Sequence, residues 1–142
     1  MRVLIGLIVM LLAGAAGADD SAAVKYRQNT MKAVGGHMGA VAAIAKGEVD
    51  HKGELPVHVS SLAALSGIVP DLFGPDAKGG DALPEIWAKP DDFKKRLSAF
   101  RTAAQDLDAM VKGGDMTNFG KALGALGNAC KGCHDDFRKK EE

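Results

Sequence analysis

Residues 116–140 read "MTNFGKALGALGNACKGCHDDFRKK". Met116, Phe119, Leu123, Leu126, Cys130, Cys133 and Phe137 follow one another at alternating steps of three and four. That spacing lays one apolar stripe along a helix. The spacing predicts a helix from about Met116 to Lys139, with Asp115 as its cap after the break at Gly113–Gly114. Both cysteines of the chain lie on its buried seam.

Three further segments upstream share the period. From about Asp20 to Lys46, Val24, Met31, Val34, Met38, Val41 and Ala45 fall on one face, and Gly47 is the stop signal. From about Pro56 to Leu72 the apolar positions are Val59, Leu62, Leu65, Val69 and Leu72. Pro56 suits a first helical turn, and Pro70 ends or kinks the last one. From about Pro90 to Lys112, Phe93, Leu97, Phe100, Ala104, Leu107 and Val111 repeat the pattern. No stretch sustains two-residue alternation. The expected fold is all-α: an antiparallel four-helix bundle with a long Gly- and Pro-rich loop, "GPDAKGGDALPEIWAKP", between the second and third helices.

The front of the chain has a different character. Arg2, an apolar run from Val3 to Leu12 and the small-x-small site Ala16-Gly17-Ala18 have the layout of a secretory signal peptide. The run is too short for a transmembrane helix, which needs about 20 apolar residues. Without a cysteine near the cleavage site, no lipid anchor is expected. The reading is a signal peptide over 1–18 and one domain over 19–142, exported to the periplasm and soluble after cleavage. The mature part has 17 basic and 18 acidic residues, which points to neither nucleic acid nor membrane as a partner.

An exported chain uses paired cysteines for disulfides as a rule, but this pair would close a loop too short to stabilise much. "CKGCH", Cys130 to His134, is the attachment pattern of a c-type haem. Cysteines at i and i+3 share a helical face and can form thioethers to two vinyl groups. His134 can then turn its imidazole onto the iron. A thioredoxin-like pair would sit at the start of a helix after a strand, and a zinc site needs about four ligands where only Cys130, Cys133 and His134 cluster. The expected cofactor is therefore one covalently attached haem c. No acid–base pair stands out beside it, so no enzymatic role is expected.

Three stretches together, "AVKYRQ" at 23–28, "FGPDAKGGDALPEIW" at 73–87 and "CKGCHDDFRKK" at 130–140, resemble the cytochrome c′ family. The resemblance runs the length of the mature chain. It implies a bundle that often pairs as a homodimer through its first two helices, with His134 as proximal iron ligand. It implies that Arg27 and Gln28 reach the haem propionates and that Arg138 borders the proximal side, four residues after His134 on the same helical face.

The family's high-spin members carry a non-ligand, usually Leu, where this chain has Met31 in "YRQNTMKAVGG". That departure resembles the low-spin branch, in which a methionine of the first helix binds the iron. A thioether is a soft ligand, and His/Met coordination suits an electron carrier. Gly35, four residues after Met31, fits close approach of a flat ring or of another helix. The expectation is a single-electron carrier with His134 and Met31 as axial ligands and redox proteins as partners. The alternative is a five-coordinate haem that binds nitric oxide or carbon monoxide, with Met31 near the iron but unbonded. His37 is off the apolar face, and His51 and His58 are expected to be solvated.

Overall fold

The computed structural model describes residues 21–140. The proposed signal peptide, residues 1–18, lies outside them. Among the described residues five α-helices are present: α1 (Ala22–Lys46), α2 (Leu55–Ile68), the single turn α3 (Glu85–Ala88), α4 (Pro90–Gly113) and α5 (Phe119–Phe137). Among the described residues no strand forms, only one isolated bridge between Ala82 and Arg138. The four-helix bundle is therefore observed, with α3 as an extra turn inside the crossover between α2 and α4.

Local chemistry sets the helix limits. The Ser21 hydroxyl accepts from the Val24 N–H at 3.1 Å and caps α1. Gly47 and Gly114 close α1 and α4 at φ 70° and 76°, a left-handed conformation that only glycine adopts without penalty. Pro56 stands in the first turn of α2, and Pro70 helps turn its end into a 3₁₀ stretch, Val69–Phe73. Asp91 and Asp92 sit at the positive end of the α4 dipole and Lys112 at the negative end.

The helices pack in order, α1 on α2, α2 on α4 and α4 on α5. Val34, Val41, Val59, Leu62, Phe93, Leu97, Phe100, Leu107 and Leu126 form the shared core. The predicted faces hold, with local shifts: Ile44 is buried where Ala45 was expected, and Ala45 is exposed. The stretch Lys52–Phe73 is long and apolar enough to cross a membrane. In this fold it works as a core helix, with Val59, Leu62 and Ser66 buried.

The start of the last helix departs from expectation. Met116 is exposed and α5 begins only at Phe119. Asp115 does not cap it: its carboxylate accepts from the Thr117 N–H at 3.0 Å, which holds a turn two residues ahead of the helix.

A polar link ties α2 to α4. Asp108 accepts from Ser60 at 2.6 Å and from Lys112 at 2.6 Å. Burial alone would raise the Asp108 pKa. The hydrogen bonds from Lys112 and Ser60, with the Lys112 charge, outweigh it and hold the carboxyl below its ordinary 3.8. A carboxyl depressed in the fold contributes stability that is complete above 3.8 and fades as pH falls through the folded value. Asp108→Asn should therefore flatten the acid limb of stability, read as helical circular dichroism against pH. An acid limb identical to the parent's would remove this link from the account.

Candidate functional site

One end of the bundle gathers the three stretches singled out in the sequence. Arg27 is 4% exposed; its guanidinium donates to the carbonyls of Ala77 and Gly79 and lies 5.4 Å from the Phe73 ring centroid. Burial lowers its pKa and the Asp81 charge opposes that shift. Ser21 donates to the Asp76 carbonyl, and the Trp87 indole N–H donates to the Phe73 carbonyl at 3.0 Å. Phe73, Phe93 and Phe137 stack edge to face, with centroids 4.8 and 5.1 Å apart. From the other side, the Leu83 N–H donates to the Phe137 carbonyl and the Lys139 N–H to the Asp81 carbonyl. The crossover loop thus clamps the beginning of α1 and the end of α5 together.

Gly80 is where the clamp is tightest. Its φ is +58°, and a Cβ there would lie 2.9 Å from Gln28 Nε2 and 3.0 Å from Val24 Cγ1. Gln28 can swing aside, but Val24 is fully buried. Gly80→Ala should cost about 2 kcal/mol, from left-handed strain and the displaced neighbours. Urea unfolding measures it; a loss below about 0.5 kcal/mol, ordinary for a surface change, would mean the loop yields.

The clamp fixes the register of α1 against α5. These helices run antiparallel, since the start of one and the end of the other share the clamped end. A Cβ on Gly127 would lie 3.8 Å from Met38 Cε, which marks where they meet. Seven residues back along α1 from Met38 is Met31, and seven residues on along α5 from Gly127 is His134. Seven residues are close to two turns, a rise of about 10.5 Å. Met31 and His134 therefore stand at one level, on the facing sides of α1 and α5.

Along these faces several apolar side chains are only half-buried. On the α5 seam only Leu126 and Phe137 are buried; Phe119, Leu123, Cys130 and Cys133 are half-buried. Met31 and Met38 on α1 are half-buried too. Helices α1 and α5, the pair that would close the ring, approach less closely than the other neighbours. The two cysteine sulfurs are not joined in a disulfide. In the chain before haem attachment, burial raises the pKa of each thiol, that of Cys133 to about 11 despite the nearby Arg96 charge. Burial, then the Arg138 charge, lowers the His134 pKa, so the ring is neutral at pH 7 with a lone pair to give.

Two placements differ from the sequence reading, and one partner was missed. Arg138 does not continue the helical face of His134: α5 ends at Phe137, and the bridge to Ala82 draws Arg138 into extended backbone at φ −119°, ψ 140°. Its charge still acts on His134. His58 is not solvated but half-buried against His37. Arg96 of α4 was missed; it pairs with Asp136 at 2.6 Å and lies across Gly132, between the two cysteines. Nothing in the α4 sequence marks it, because its role depends on how α4 packs on α5.

Two thiols at i and i+3, a neutral histidine beside them and half-buried apolar side chains on facing helices of a bundle suit a covalently held haem, and define a c-type cytochrome. The family model described as Cytochrome C' matches residues 22–138. The chain is 37% identical over 120 residues to a cytochrome c′ of Alcaligenes xylosoxydans xylosoxydans, covering 84% of this chain and 94% of that one. It is 39% identical over 126 residues to a cytochrome c′ of Pararhodospirillum photometricum, covering 86% of this chain and 100% of that one. A solved ferrous variant of cytochrome c prime from Alcaligenes xylosoxidans with bound nitric oxide superposes with a TM-score of 0.79 at 35% identity, over 89% of this chain and 98% of that one. The chain belongs to the cytochrome c′ family and, as in that family, its cofactor is one covalently attached haem c.

Proposed function

We propose that this protein binds a small diatomic gas, nitric oxide or carbon monoxide, on the α1 side of its haem. The observation that carries this is the solved relative holding nitric oxide, which matches the fold over 89% of the chain. It supports gas binding over the electron-carrier role expected from the sequence. When bound, the haem supplies an iron that can change charge by one electron and accept an axial ligand. The chain supplies the rest. Cys130 and Cys133 give their sulfurs to thioethers, and His134 offers a neutral imidazole from α5. Arg138 lies on that same side. Gln28 and Arg27, three and four residues before Met31, share its helical face and would border the haem propionates.

A second reading is favoured by one observation in the fold: Met31 stands level with His134. If its thioether is the opposite axial ligand, the protein is a single-electron carrier, and its partners are redox proteins. Neither reading calls for turnover of a substrate. Both fit an exported periplasmic protein, as the leader-like residues 1–18 suggest. Tyr26 and Val57, exposed on α1 and α2, are suited to pairing two copies.

Titration of the ferrous protein with nitric oxide decides between them. The first reading expects one gas molecule per haem, with a shifted Soret band. A ferrous spectrum that nitric oxide leaves unchanged would transfer the assignment to the carrier.

A further inference from the structure

Helix α1 shows Met38 to α5, and the residue before it, His37, points about 100° away, toward α2. There it meets His58. The two Nδ1 atoms are 3.0 Å apart, and the ring centroids lie 5.3 Å apart at 56°. Both side chains are half-buried, and neither belongs to the haem site. One proton between two ring nitrogens satisfies this contact: one ring donates and the other accepts.

We propose that His37 and His58 form a chelating site for a divalent transition-metal ion, copper(II) above all, bridging α1 and α2. A metal ion in place of the shared proton bonds both nitrogens. With metal–nitrogen bonds of about 2.0 Å, nitrogens 3.0 Å apart subtend about 95° at the ion. That is a cis angle of tetragonal coordination, the geometry of copper(II) and nickel(II). Tetrahedral zinc(II) needs a wider angle and so a slight parting of the helices. Imidazole suits these metals, and copper(II) heads the affinity order. Among the described residues no third His, Cys, Asp or Glu joins the pair. The remaining positions belong to water or to the same pair of a second copy.

Copper(II) chloride added to the ferric haem protein, followed by dialysis, metal analysis and electron paramagnetic resonance, tests the site. The expected result is one retained ion per chain, with nitrogen hyperfine structure from two imidazoles. One ion per two chains with four imidazoles bound supports the same ligand pair. His37→Ala and His58→Ala should each weaken retention by about tenfold or more, since a lost ligand costs at least as much as a lost supporting partner. His58→Gln guards against a folding defect, with the Soret band and helicity as the check. His51→Ala should retain copper, because His51 is exposed and paired with Glu54. Copper binding that survives both the His37 and His58 substitutions, or that His51→Ala abolishes, would overturn the proposal.

Discussion

A chain carrying Cys130→Ser and Cys133→Ser together is expected to lose every covalent bond to its haem. The measurement is extraction with acidified organic solvent, or haem staining on a denaturing gel. The parent should keep its colour in the protein fraction, and the double variant should release all of it. The reasoning is chemical. Only sulfur at these positions can form the thioethers, and the chain has no other cysteine. Each single variant keeps one sulfur and should keep part of the attachment. Serine is close to isosteric, so the helical seam survives and α5 should still form. Colour retained in the double variant after extraction would mean that the haem is held elsewhere. The motif and the half-buried thiols would then have been misjudged together.

Met31→Ala should speed carbon monoxide association with the ferrous protein by about tenfold, the effect of about 1.4 kcal/mol off the barrier. Met31 is the α1 side chain level with His134, so a gas reaching that face passes it in either reading. If the thioether is unbonded, alanine clears the approach. If it is bonded, alanine removes the competing ligand, and the gain is larger. Truncation also leaves space, so the fold should lose about 2 kcal/mol, the low end for a methionine that is only half-buried. Flash photolysis gives the rate. An unchanged rate would mean that gas does not approach along α1, and the level argument from Met38 and Gly127 would fail.

The features legible in the sequence were those carried by local spacing. The seam through Leu126, Cys130, Cys133 and Phe137 could be read because one helix imposes one period. The pairing of the cysteines with His134 could be read because i, i+3 and the next residue share a turn. Contacts between distant segments were less accessible. The carbonyls of Ala77 and Gly79 that hold the Arg27 guanidinium are brought beside it by a loop, and no spacing in α1 announces them. Arg138 was placed on the helix because nothing in "DDFRKK" breaks one; the bridge to Ala82 does so from across the fold. Helix α5 starts late because Met116 keeps the apolar period without being covered, and period alone does not make a helix. The meeting of His37 with His58 needed the packing angle of α1 on α2, which no pattern in either helix encodes.

The most direct test of the central claim is the visible spectrum of the matured protein, oxidised and reduced, with and without carbon monoxide. The account predicts one haem c whose ferrous spectrum shifts and sharpens when the gas is added. Sharp ferrous bands indifferent to the gas, with a weak ferric sulfur-ligation band toward the red, would contradict it. Met31 would then be an axial ligand and the protein an electron carrier.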